Sequence, residues 1–390
     1  MLNDVNISKT RGGLGRREPS TDMISGLIVS GVAVVGGAQL DTPYKLVEVK
    51  EAEALLLDAA YDTANTVLVY EHIKEFFRVN PNGELHIMLK AQADTFVNLV
   101  DAIPTLQDAA DGKINQFAVS YNPTIPVTDT TELLLAIPAA EIVAASLYSG
   151  HKPTHIILEG KGYDITASDD FRALNAAKAA VFVGQDFSVS SANAAYETYA
   201  AVGTLLGAVS RASVHVGVDY VQDFNMLGGT LSIPAISNTK VQDVSASNLD
   251  TANTEGAIFF RKHVGISGIY FNDTHNCIPA TDDYAYIENQ RTINKATRIV
   301  RATLLPDLGS PVDIDPSNGQ LDATYVQSLK AKVDKAIAEQ MSGELSGFNF
   351  FIDPAQDVLA TSVVNTQLSL IPFGKAREIN VDIGFNNPTN

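Results

Sequence analysis

Apolar and polar positions along this chain switch repeatedly between two periods, and the switches outline its elements. The continuous apolar run Gly26 to Val35 predicts a buried strand, and Glu84 to Lys90, with Leu85, Ile87, Met88 and Leu89 in its middle, predicts another. Helical spacing predicts helices at Val47–Asp58, Thr66–Val79, Asp94–Ala110, Thr131–Tyr148, Asp170–Ala180 and Ala192–Ser210. Short β-branched or apolar runs at Phe117–Ser120, Thr154–Leu158, Val181–Val183 and Ser213–Val218 fall between or after them and read as strands. Strands separated by helices predict an α/β body over residues 23–235, its sheet largely parallel, covered on both faces and joined by right-handed crossovers.

Residues 236–256 are rich in Ser, Thr, Asn and Asp and read as a linker. A second, α+β domain is expected over residues 257–375. It has strands at Ala257–Arg261 and Ile269–Phe271, a helix from Asp283 to Leu304 closed by Pro306, and another from Leu321 to Met341. Two alternating strands are expected near the end, Val364–Leu370 and Ile379–Phe385, with residues 376–390 as a terminal strand and tail. At the other end Leu2, Val5 and Ile7 alternate with polar residues ahead of the Gly- and Arg-rich segment Arg11–Arg17, so residues 1–22 read as an extended arm on a hinge.

Apolar residues at 45% and charged residues at 18% place the chain far from the disordered range, and its 390 residues are enough for two or three cores. The net charge of −18 conceals a basic start. Lys9, Arg11, Arg16 and Arg17 against Asp4 and Glu18 give residues 1–20 a charge of +2, which leaves −20 for the rest. Such a body repels nucleic acid, and copies of it associate only through contacts strong enough to overcome like-charge repulsion. The single cysteine, Cys277, excludes an intramolecular disulfide and a thiolate-rich zinc site and fits a reducing compartment. The N-terminus lacks the basic-then-apolar layout of a signal peptide, and Gly26–Ala38 is too short and too Gly-rich to span a bilayer, so synthesis in the cytosol without membrane insertion is expected.

No catalytic constellation emerges. Gly26, Gly31, Gly36 and Gly37 follow a strand but miss the spacing of a dinucleotide turn, and no phosphate-binding loop of the GxxxxGK[ST] type is present. His151 and His155 flank Pro153, where two ligands on one helix face cannot form. His263, His275 and Cys277 lack an orienting third group. Asp313, Asp315 and Asn318 suggest a calcium loop, but Gly319 comes one position late and Thr324 stands where a bidentate Glu is needed. No cofactor or metal is expected. On the helix Asp283–Leu304, Arg291, Lys295, Arg298 and Arg301 share one face opposite Ile293, Ala296, Val300 and Leu304, a basic stripe available to an acidic partner.

Several segments of the second domain carry a resemblance: Gly268-Ile-Tyr-Phe, Thr281-Asp-Asp-Tyr, the run Glu288-Asn-Gln-Arg-Thr-Ile-Asn-Lys-Ala-Thr-Arg-Ile-Val-Arg, and Gly319-Gln-Leu-Asp ahead of a helix. With the closing strands, residues 255–390 resemble the C-terminal domain of contractile tail sheath proteins of phages and related injection systems. The resemblance implies a structural subunit without catalysis, assembled in the host cytoplasm and resident in the virion tail. Such subunits stack as helical rings around an inner tube, between baseplate and tail-terminator proteins, and contract to drive the tube through an envelope. It further implies that the arm (Leu2, Val5, Ile7) and the terminal strand (Ile379, Val381, Ile383, Phe385) complete a sheet in neighbouring subunits, and that Arg291, Lys295, Arg298 and Arg301 face the tube. Burying the four apolar residues of the terminal strand yields roughly 6–12 kcal/mol. Ordering the segment costs about 7–14 kcal/mol, so one strand is near break-even and a ring of them acts multivalently. The readings from a different class are a small-molecule enzyme with a site at the carboxyl ends of the parallel strands, and another self-assembling structural protein.

Overall fold

The apolar run from Ile24 becomes an interior strand of a seven-stranded sheet in a computed structural model that describes residues 21–229 and 231–385. The strands are β1 (Ile24–Gly31), β2 (Pro43–Leu46), β3 (Glu84–Ala91), β4 (Gln116–Ser120), β5 (His155–Glu159) and β6 (Ala179–Phe182). A small antiparallel sheet of β7 (Gln185–Asp186), β8 (Pro234–Ile236) and β9 (Thr239–Lys240) follows, after which β10 (Ala257–Ile258) returns to the first sheet. The order is β10-β6-β5-β4-β1-β3-β2, parallel throughout except for the edge strand β2.

Every residue of β1 is buried because both faces are covered. Leu27 and Val29 pack with the helices Val69–Val79 and Val202–Arg211, while Ile24 and Ile28 pack on the other side with Phe96–Asp101, Ile103–Ala109 and Thr131–Ser149. Two glycines set close approaches. A Cβ on Gly26 would lie 2.3 Å from the Phe117 ring on β4, and one on Gly203 would lie 2.2 Å from the His72 carbonyl oxygen of the facing helix. The helix Thr131–Ser149 is long and apolar enough to cross a membrane, but Leu133, Ala136, Ile137, Ala140, Val143, Ala144 and Leu147 are buried in the core of this unit.

Tertiary hydrogen bonds explain where the expected elements give way. Ala192–Ser210 is helical only from Val202, because Ala200 N donates to Glu159 Oε1 at 2.9 Å and the Tyr199 hydroxyl accepts from Asp186 N at 2.8 Å, both of which hold the preceding segment out of a helix. Ser213–Val218 forms no strand, since the carbonyl oxygens of Ala212 and Ser213 accept from the Arg291 guanidinium at 3.1 and 3.4 Å. Asp170–Ala180 is a 3-10 turn capped by Asp170 and ended by left-handed Asn175 (φ 54°), and Ala179 and Ala180 belong to β6. Residues 236–256 do not separate two bodies: they contain β9 and the helix Ala246–Thr254, and the next strand, β10, pairs with β6.

The chain divides into compact units between Arg298 and Ile299, within the helix Ile287–Leu304. The first unit also holds the hairpin β11 (Phe260–His263) and β12 (Ile266–Phe271), where Phe260 and Phe271 meet Phe182 at ring distances of 5.1 and 5.8 Å. The second unit consists mainly of the helix Ala323–Gln340, capped by Asp322, and the antiparallel pair β13 (Gly347–Ile352) and β14 (Thr366–Ile371).

Candidate assembly interface

Residues alternate across the β13–β14 ribbon. Phe350 and Ile352 are buried, their cross-strand partners are Leu368 and Thr366, and the helix Ala323–Gln340 lies against β13 with Leu329, Val333 and Ile337 buried. On the opposite face Phe351 and Ile371 are exposed. In a ribbon of two strands each strand keeps one edge without a strand partner. Beside it lies an open groove of about 500 Å³ lined by Leu308, Val312, Ile314, Tyr325, Leu359 and Val364. The aromatic run Gly347–Ile352 went unrecognised in the sequence, although the turn residues Ser346 and Asp353-Pro354 bound it.

From Pro372 to Phe385 the chain continues without regular structure. Ile379, Val381, Ile383 and Phe385 are 70–110% exposed. The expected terminal strand is therefore not formed within the single chain, and it does not pair with β14, whose partner is β13. Among the described residues none supplies a main-chain partner to this segment, and a strand needs one. Leu2, Val5 and Ile7 lie outside the described residues.

The basic stripe is a correction. Arg291 is buried and donates to the Ala212 and Ser213 carbonyls. Lys295 Nζ lies 2.7 Å from Asp22 Oδ2. Arg298 donates to the carbonyl oxygens of Gly112, Ile114 and Pro153 at 2.7, 3.0 and 2.6 Å. Burial lowers its pKa to about 10, with Asp22 opposing the shift. Only Arg301 is exposed. The four share a helix face as expected, but three of them fasten the subunit's own loops, so they do not form a surface for a tube.

Polar chemistry in the first unit is enclosed. Ser120 Oγ lies 2.9 Å from both His72 Nε2 and Glu159 Oε2, yet all three residues are buried. Histidine and carboxylate both bond the hydroxyl and do not form a relay, and burial drives His72 down to about 3. His155 is held near 4 mainly by burial, with its Nε2 2.8 Å from Asn276 Oδ1. Burial pushes the Cys277 thiol up, which leaves it inert. Among the described residues no group of three His, Cys, Asp or Glu side chains is placed to hold a metal ion.

Comparison with known proteins places this arrangement. The profile of the DUF2586 N-terminal domain matches residues 2–275, and that of the DUF2586 C-terminal domain matches residues 283–390. No curated protein matches the chain. Among solved structures, the contracted helical sheath of the anti-feeding prophage superposes with a TM-score of 0.66 at 14% identity, covering 99% of each chain. The contracted sheath complex of the extracellular contractile injection system PVC gives 0.59 at 12% identity, covering 100% of this chain and 99% of the other. The sheath tail protein of Desulfitobacterium hafniense gives 0.53 at 9%, covering 95% and 100%.

Proposed function

Because the chain belongs to the DUF2586 family and has the fold of contractile sheath subunits over nearly its full length, we propose that it is the sheath subunit of a phage-type contractile tail or injection machine. It polymerises as helical rings around an inner tube, meets a baseplate at one end and a terminator at the other, and contracts to drive the tube through a target envelope. The particle is assembled in the cytoplasm of the producing cell.

The observation that carries this reading is the terminal segment. Four large apolar side chains at every second position stand in water in the single chain, and a soluble protein keeps such a row only where another surface covers it. Strand addition to the free edge of a neighbour's ribbon satisfies the backbone and buries the row together. The arm at Leu2, Val5 and Ile7 supplies the second link of each subunit. Acidic bodies keep unassembled copies apart until a tube templates them.

Negative-stain electron microscopy of the full-length chain, with and without tube, tests this against deletions of residues 1–20 and 378–390. Rings or tubes are expected from the full chain and from neither deletion. Assembly unaffected by both deletions would remove the linking role of the termini, and monomers under every condition would remove the sheath reading.

A further inference from the structure

The first unit has a polar cavity apart from the terminal segment. Its parallel strands reverse their order between β1 and β4, the place where open α/β sheets form a crevice beyond the carboxyl ends of their strands. A cavity of about 310 Å³ opens there, lined by the residues that follow three of those strands: Gln92 after β3, Asn122 after β4 and Lys161 after β5. Asn65, Thr66 and Thr124 complete its polar lining.

Lys161 is 3% exposed, and its ammonium makes no hydrogen bond or close ion pair with any described residue. Glu159 acts on it only through space, since the carboxylate is occupied by Ser120 Oγ, Tyr121 N and Ala200 N at 2.9, 2.7 and 2.9 Å. The turn that carries Lys161 is fixed. Gly162 has φ 81°, and a Cβ there would lie 1.9 Å from the Asp129 carbonyl oxygen. With the rest of the side chain buried, the ammonium can find acceptors only in the cavity it lines, and an oxyanion there would supply charge-assisted ones.

The other groups narrow the ligand. The amide nitrogens of Asn65, Gln92 and Asn122 each spend one N–H on Tyr61 O, Asn122 O and Ser120 Oγ, and their side-chain oxygens accept from no described donor. Such oxygens accept from hydroxyl groups. Pro123, Pro126 and Ala195 are the remaining lining, and with no aromatic ring present there is nothing for a nucleobase to stack on. We propose that this cavity binds a small hydroxylated anion, of the sugar-acid or sugar-phosphate class, with its oxyanion on Lys161 and its hydroxyls on Asn65, Gln92 and Asn122.

Isothermal titration of the full-length chain with gluconate and with glycerol 3-phosphate tests this, with glycerol and inorganic phosphate as the separate halves. At least one whole ligand is expected to bind with Kd of about 1 mM or tighter, and each half at least about tenfold more weakly. Gluconate alone binding assigns a carboxylate source and glycerol 3-phosphate alone a phosphate source. Lys161→Met is expected to weaken binding at least about 100-fold and Thr124→Val about threefold to tenfold. Should Lys161→Met fail to fold, as judged by its melt, Gln92→Leu replaces it with an expected loss of about tenfold. No binding of either whole ligand at about 10 mM, or unchanged affinity in the folded variants, overturns the proposal. Loss of this binding leaves ring formation untouched, so the result is independent of the sheath assignment.

Discussion

Leu27, Ile28 and Val29 in the middle of the main sheet have no exposed surface, whereas Ile379, Val381, Ile383 and Phe385 near the end of the chain are 70–110% exposed. The residue types are nearly the same; the difference is whether the chain brings them a partner. In the first unit the interior strands pair on both sides, helices cover both faces, and the buried Glu159 and half-buried Arg298 find three donors or acceptors each. Among the described residues the terminal segment has none of this, and its apolar surface stands in water. In the proposed sheath such a division would let the body fold before assembly and leave the terminal segment free until then.

The comparison breaks most readily at an aromatic pair. Phe182→Ala removes a fully buried ring from contact with Phe260 and Phe271 and is expected to cost about 3–5 kcal/mol, whereas Phe385→Ala should change the stability of the isolated chain by less than about 0.5 kcal/mol. Urea unfolding followed by tyrosine fluorescence measures both. A comparable loss at Phe385 would mean that the tail folds back on its own subunit.

Next in size is the contrast between two arginines of one helix. Arg298→Met removes the guanidinium from three carbonyl oxygens, of which Ile114 and Gly112 keep Gln107 Nε2 at 3.0 and 3.5 Å, and should destabilise the first unit by about 1–3 kcal/mol. Arg301→Met should leave the melting temperature unchanged, because Arg301 is exposed. Equal effects would contradict the assignment of Arg298 to the interior.

Acid sharpens the comparison further, since no histidine lies after His275. Burial holds His72 near 3 and His155 near 4, so from about pH 6.5 downward the unfolded chain takes up protons that the folded chain refuses. Each histidine then removes about 1.4 kcal/mol of stability per pH unit. Asp62 acts oppositely: raised to about 7 chiefly by burial, it is protonated in the fold where the unfolded carboxylate is ionised, and it contributes stability as pH falls from about 7 to 4. His155→Gln is therefore expected to reduce the loss of stability on acidification by about 1.4 kcal/mol per unit between pH 6.5 and 4, which urea titrations of the variant beside the parent chain measure.

The smallest effect is a rate difference at no cost in stability. Amides of β1 should exchange with deuterium only through global unfolding, while those of residues 379–385 in the unassembled chain should exchange as in a free peptide. Protection of the tail at micromolar concentration would reveal a partner already present.

The sequence made the strands β1, β3, β4 and β5 legible because a strand buried on both faces is a continuous apolar run, and nothing else that short is so uniformly apolar. It was less informative where tertiary bonds decide. Ala192 to Ala201 has the composition of a helix, but Glu159, far away in the chain, claims the Ala200 amide. Periodicity correctly put Arg291, Lys295 and Arg298 on one face, yet periodicity states only which residues lie together. Whether that face meets water or backbone carbonyls depends on loops at Gly112, Pro153 and Ala212 that no local pattern connects to the helix. Lys161 gave no signal either, since Glu-Gly-Lys-Gly reads as an ordinary turn. The tail was legible for the opposite reason, because its alternation needs no tertiary context to be seen.

That alternation also acts as a ruler. Between the four apolar residues stand Asn380, Asp382 and Gly384. A tail seated one position out of step on any apolar acceptor presents this second set, and Asp382 would have to give up its water without a counter-charge. In the proposed sheath a subunit added at the wrong offset would be held more weakly than its correctly placed neighbours and would dissociate first. Accuracy over the length of a filament would then come from the spelling of one short segment, with no separate inspector needed to check each addition.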